Sequence, residues 1–181
     1  MKNAIIIYGT SCTPDSYWLP SIKRFLEKKD YDVFIPILPD GDIQNLKTQL
    51  PFILKNGKFD KNTILIGHSS GCPLILSMLE NIDVKIDKAI LVAGLIKSSH
   101  IHLQKIFQKV YNAKKIKENA KEIIFINSDN DPWGCDHNMG LKMLSLFGGT
   151  LVVPHNEGHF GSEKYKQPYK KFPLIEKLII G

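Results

Sequence analysis

Six short apolar runs, each followed by a stretch of helical periodicity, set the terms on which this 181-residue chain can fold. The runs fall at residues 4–8, 32–35, 63–66, 89–92, 123–127 and 150–153. Most are unbroken Ile, Val and Leu, the pattern of strands buried on both faces. Helical spacing follows in Trp18, Ile22, Phe25 and Leu26, then in Ile43, Leu46, Leu50, Ile53 and Leu54, where Pro51 is expected to kink or split the segment. It returns in Leu74, Ile75, Met78 and Leu79, in Leu103, Ile106, Phe107, Val110 and Tyr111, and in Met139, Met143, Leu146 and Phe147. Gly148-Gly149 would end that fifth helix, and Leu174, Leu178 and Ile179 form the last. Such alternation predicts a three-layer α/β/α domain over residues 1–181, built on a mainly parallel six-stranded sheet. In that architecture, function gathers in the loops leaving the carboxyl ends of the strands.

Composition narrows the partners. No apolar run reaches the ~18 residues a membrane span needs, and the start of the chain lacks a signal-peptide core, so a cytoplasmic protein is expected. Three cysteines, Cys12, Cys72 and Cys135, make no CxxC pair and favour free thiols. The net charge of +6 comes from scattered lysines, with Arg24 the sole arginine. A Lys-rich solvated surface fits this better than a nucleic-acid partner, which arginine would read. With no P-loop or dinucleotide fingerprint, no cofactor is expected.

One loop carries a chemical motif. Gly67-His68-Ser69-Ser70-Gly71 fits G-x-S-x-G, which chance supplies to roughly one chain in twenty of this length. Here it lies between the strand at 63–66 and the helical run beginning at Pro73, the strand–turn–helix setting the motif requires. The serine must sit in a strained turn that lifts its hydroxyl above the sheet. Glycines at 67 and 71 let strand and helix backbones crowd it.

A serine hydroxyl needs a base, and that base needs an orienting acid. In this type of site the order along the chain is serine, acid, histidine. The fifth strand leads into Ser128-Asp129-Asn130-Asp131-Pro132, giving Asp131 as the acid and Asp129 as the alternative. The sixth leads into Pro154-His155-Asn156-Glu157-Gly158-His159-Phe160, giving His159 as the base and His155 as the alternative. His68 comes too early in the chain to serve. Backbone amides of Thr10, after the first strand, and of Ser70 are expected to receive the oxyanion, with Gly9 allowing close approach to the substrate.

A zinc set of Cys135, His137, His155 and His159 is disfavoured by its loop placement and spacing, and a calcium loop from Asp129 fails at its third and last ligands, so no metal is expected. Cys12 and Cys135 lie in loops at the same edge but on no elbow, which favours pocket-lining or oxidation-sensitive thiols over a thiol nucleophile.

With these residues placed, the chain resembles the YdeN/retinoblastoma-binding protein 9 family of small serine hydrolases, of the α/β-hydrolase fold, over nearly its whole length. The resemblance rests on Gly67-His68-Ser69-Ser70-Gly71-Cys72-Pro73, Ser128-Asp129-Asn130-Asp131-Pro132, Gly158-His159-Phe160 and Tyr17-Trp18-Leu19-Pro20. It implies a Ser69–Asp131–His159 triad. Tyr8-Gly9 departs from the His-Gly common in such proteins, and the Leu-x-Cys-x-Glu motif tied to retinoblastoma binding is absent, so that partner does not carry over. Residues 93–120 are too few for a cap domain. The expected site is therefore open, lined by Thr10, Tyr17, Trp18, Leu95, Ile96, Trp133 and Phe160, and suited to a small acyl substrate: an ester, thioester or amide. The rival expectation is a non-catalytic binding protein that retains the fold.

Overall fold

The computed structural model describes residues 2–40 and 44–181. All six expected strands form: β1 (Lys2–Ile7), β2 (Tyr31–Phe34), β3 (Thr63–His68), β4 (Ile86–Val92), β5 (Ala120–Ile126) and β6 (Thr150–Val152). They pair in the order β2-β1-β3-β4-β5-β6, every pairing parallel. The unbroken apolar runs are the reason. Ile5, Ile6, Ile64, Leu65, Ile66, Ile90, Leu91 and Phe125 are at most 1% exposed, so neither face of the central strands meets water.

Six helices cover that sheet: α1 (Leu19–Glu27), α2 (Leu46–Asn56), α3 (Gly71–Asn81), α4 (Ala113–Glu118), α5 (His137–Phe147) and α6 (Pro173–Ile180). The central one, α3, is buried from Gly71 through Leu79, whereas α1 buries one stripe, Leu19, Ile22 and Leu26. Caps fix three of the starts, α4 among them, where Asn112 Oδ1 accepts the Lys115 amide. Asn45 Oδ1 accepts the Lys47 amide ahead of α2, and Asp136 Oδ1 accepts the Asn138 and Met139 amides ahead of α5. As expected, α5 ends at Gly148, whose φ is +66°.

Two helix expectations are corrected. α2 runs through Pro51 as one helix, since proline removes a single backbone donor while Gln49 and Ile53 stay buried on either side of it. Ile43 lies outside the described residues. The spacing at 103–111 predicts one helix, but the chain makes a 3-10 turn over Ile101–Ile106, runs irregularly, and resumes as α4. Leu103 and Ile106 are buried there and Phe107 and Tyr111 are half-buried against the core, while Val110 is 81% exposed, so the apolar residues pack from a broken backbone rather than from one helix face. No cap domain is present among the described residues, and none of their helices is long and apolar enough to cross a membrane.

Because every strand runs the same way, the loops after β1, β3, β4, β5 and β6 emerge at one edge of the sheet. The candidate site is built from these loops.

Candidate active site

At the end of β3 the backbone turns sharply into α3, and Ser69 takes a left-handed conformation with φ of +53°. A non-glycine residue is held there only where surrounding contacts over-determine it. Those contacts are visible. The Ser69 amide donates to the Val92 carbonyl of β4 at 2.9 Å, and its own carbonyl accepts the Cys72 amide at 2.9 Å. A Cβ on Gly71 would lie 2.5 Å from the Ile7 carbonyl oxygen, and one on Gly67 would lie 2.8 Å from Ile75 Cδ1. At Gly71 the neighbour is backbone and glycine is required; at Gly67 it is the tip of a side chain, with the α3 backbone 3.3 Å away, so the crowding there is milder. Gly9 meets a different neighbour from the expected one: a Cβ there would stand 2.8 Å from Ser69 Cβ, so this glycine makes room for the serine itself.

Asp131 and His159 meet across the loops after β5 and β6. His159 Nδ1–H donates to Asp131 Oδ2 at 2.7 Å, with the Asp131 side chain fully buried and that of His159 9% exposed. The other carboxylate oxygen, Oδ1, accepts the Trp133 amide at 2.8 Å. Pairing Nδ1–H with a carboxylate leaves Nε2 as the basic nitrogen. Ser69 and His159 line one cavity of about 440 Å³.

The alternatives pair with each other. Asp129 Oδ2 accepts from His155 Nδ1 at 2.5 Å, and Oδ1 accepts the Asn156 amide at 2.9 Å. Those contacts, the Asn156 amide foremost, hold the Asp129 carboxyl below its ordinary range. His155 is 79% exposed, and neither residue lines the cavity. The zinc set considered from the sequence does not assemble. Among the described residues the one close trio of possible ligands is Asp131, Cys135 and His159, and two of these already bond each other.

His68 has a structural part. It is buried, and its Nε2–H donates to the His159 carbonyl at 2.9 Å, fastening the histidine loop to the elbow. Burial, and then the neighbouring His159, push its pKa down to about 3, so the ring is neutral.

Three expectations about the site change. Trp18 and Phe160 do not line the cavity; both are 0% exposed. Trp18 Nε1–H donates to the Phe160 carbonyl at 2.9 Å, and the Phe160 ring stacks on Phe172 at 5.1 Å between centroids. These aromatics anchor the histidine loop from behind. Ile96 also stays off the cavity wall, whereas Thr10, Tyr17, Leu95 and Trp133 are on it. The Thr10 amide is not free to receive an oxyanion in this arrangement, because it donates to Ser70 Oγ at 2.8 Å, with Thr10 Oγ1 2.9 Å from the same oxygen.

Several positioning residues escape sequence reasoning. Asn127 Nδ2 donates to the Gly94 and Cys135 carbonyls at 3.0 and 2.7 Å, tying the acid loop to the loop after β4. Gln167 Oε1 accepts the His159 amide at 3.0 Å. Asn130 Oδ1 accepts the Gly158 amide at 2.8 Å, and Ser128 Oγ accepts that of Glu157 at 3.0 Å, so the acid loop holds the base loop. Polar residues following a strand hint at such a turn, but their partners lie about 30 residues away and leave no local signal.

Comparison with known proteins agrees with this geometry. The family profile described as "Serine hydrolase" matches residues 5–179. The hydrolase YdeN of Bacillus subtilis (strain 168) is 30% identical over 164 residues, which cover 88% of this chain and 86% of YdeN. The crystal structure of the ydeN gene product superposes with a TM-score of 0.90 at 25% identity, covering 99% of this chain and 97% of that one. A YdeN-like hydrolase from Pectobacterium atrosepticum gives 0.70 at 16% identity, covering 98% and 89%. Est1E from Butyrivibrio proteoclasticus, solved with ferulic acid bound, gives 0.70 at 13%, covering 99% and 86%, and shares the fold. With the serine hydrolase profile matched over nearly the whole chain and YdeN alike in both sequence and fold, the chain belongs to the YdeN-like serine hydrolase family.

Proposed function

We propose that this hydrolase cleaves a small carboxylic ester, thioester or amide through an acyl-enzyme intermediate, with Ser69 as nucleophile, His159 as base and Asp131 as its orienting acid. Ser69 Oγ attacks the substrate carbonyl while His159 Nε2 takes its proton. The resulting imidazolium is stabilised by the Asp131 carboxylate, which stays ionised. Collapse of the tetrahedral intermediate breaks the bond to the leaving group, which receives the proton from Nε2 and departs. Water then attacks the acyl-serine carbonyl, His159 again takes a proton and returns it to Ser69 Oγ, and the carboxylic acid leaves.

The Ser70 amide, at the start of α3, is the oxyanion donor this reading relies on, helped by the helix dipole. Thr10 would join it only on giving up its bond to Ser70 Oγ. The observation that carries the reading is the buried 2.7 Å hydrogen bond between His159 and Asp131, opening on the cavity that also holds a strained Ser69. Such a pair seals the acid from water and leaves Nε2 as the basic nitrogen of a histidine that shares its cavity with Ser69.

A fluorophosphonate probe tests the assignment. Wild-type protein is expected to label covalently, and Ser69→Ala, folded by circular dichroism, to give no label and to lose ester hydrolysis by ~10⁴-fold or more. Folded wild-type protein that takes no label would overturn the reading in favour of a binding protein that kept the fold.

A further inference from the structure

The cavity that holds Ser69 has one wall whose charge is unbalanced. Trp133 is its spine. The ring meets Tyr165 edge-on at 5.5 Å between centroids and His100 at 5.8 Å, and Lys164 Nζ sits 4.7 Å from its centre. His100 in turn lies 5.6 Å from the ring of His102. Lys164, His100 and His102 all line the cavity. Past Trp133 and His100, which they share, a second groove opens beside Lys97.

The negative charge facing this wall is small. Asp131 is buried and committed to His159. Asp131 does not line the cavity; among the described residues Glu163, the chain neighbour of Lys164, is the one carboxylate residue that does, and it forms no ion pair with Lys164. Neither Lys97 nor Lys164 forms an ion pair among the described residues. An ammonium held over aromatic faces keeps its charge at a fixed place while its donors remain unused. A positive mouth above a partly apolar cavity attracts and orients an anionic group.

We infer that the site selects substrates carrying an anionic group on the acyl or the alcohol part, received by Lys164 at the Trp133 wall. This rests on the hydrolase reading above and names its substrate class. The bond cleaved and the proton path are unchanged; the anion only binds.

Two matched ester pairs test it. One compares p-nitrophenyl hexanoate with the p-nitrophenyl monoester of adipic acid, placing a carboxylate at the end of an acyl chain of equal length. The other compares phenyl butyrate with 4-carboxyphenyl butyrate, placing it on the leaving group. Each kcat/KM is divided by the rate of the hydroxide reaction of the same ester. In at least one pair the anionic member is expected to be preferred about fivefold or more at low salt. That preference should shrink toward parity at about 0.5 M salt, disappear in Lys164→Ala and reverse in Lys164→Glu. The pair that responds identifies the side of the ester that carries the charge.

The inference is overturned if neither pair shows the preference, or if it survives Lys164→Ala or high salt. Hydrolysis of the neutral esters without any preference sinks this inference alone. Failure to hydrolyse any ester, together with no fluorophosphonate label, sinks the hydrolase reading with it.

Discussion

The rings of His68 and His159 lie 5.0 Å apart between centroids, tilted by 50°. Both border the cavity, but His68 is 1% exposed and bonded to a backbone carbonyl, whereas His159 pairs with a carboxylate. The environment of each decides its chemistry. His68 stays neutral down to about pH 3 in the folded protein, whereas an ordinary histidine of the unfolded chain protonates near 6.5. Between those values the unfolded state binds more protons, so stability falls as pH drops from about 6.5 toward about 3. The loss when complete is on the order of a few kcal/mol. His68→Gln keeps a donor for the His159 carbonyl and cannot titrate. Its urea midpoint is therefore expected to vary less with pH over that window than the wild-type midpoint does, and parallel curves would refute the role given to His68.

At the scale of elements, the turn between β3 and α3 is where packing is least forgiving. Gly71 lies against the backbone of β1, so a new Cβ meets a carbonyl oxygen that no rotamer change can move aside. Gly71→Ala is expected to destabilise by roughly 1–3 kcal/mol, read as a lower Tm, by pushing α3 off the sheet. Its neighbours explain what a sequence can disclose. The strands were legible because burial on both faces demands continuous Ile, Val and Leu, a property each residue carries by itself. Ser69, Asp131 and His159 stood out because the ends of those strands fix where such residues must fall. Trp18 and Phe160 were misread because an aromatic residue beside a functional loop has the same sequence whether its ring faces the cavity or the core. The Trp18–Phe160 hydrogen bond and the packing of both rings on Phe172 decide that, and the contacts of Trp18 are made with a distant segment. The stretch at 103–111 departs for a related reason: its apolar spacing fits a helix, but Phe107 and Tyr111 pack on the core from irregular backbone, Tyr111 against Phe147 of α5, while Val110 faces solvent.

Across the whole molecule, one apolar core runs through both faces of the sheet and takes two of the three cysteines with it. Cys72 and Cys135 are buried, and burial pushes both thiols up, so at neutral pH neither forms the reactive thiolate. Cys12 is only partly buried, on the cavity wall. An aromatic disulfide reagent is expected to titrate Cys12 alone in the folded protein and all three thiols once guanidinium unfolds it. Rapid reaction of a second thiol in the native state would show that the core opens more readily than its packing implies.

The aromatic anchor behind His159 also gives the hydrolase a timetable. Trp18 belongs to the first helical segment, while Phe160 and Phe172 come from the last stretch of the chain, and their contacts span more than 140 residues. All six strands and the strained serine turn precede that stretch, so much of the scaffold can assemble on the ribosome before the base loop has anything to rest on. Closing so long a loop is slow and comes late. A nascent chain would thus present its serine well before it can use it, and reactivity would switch on only once Phe160 and Phe172 have emerged.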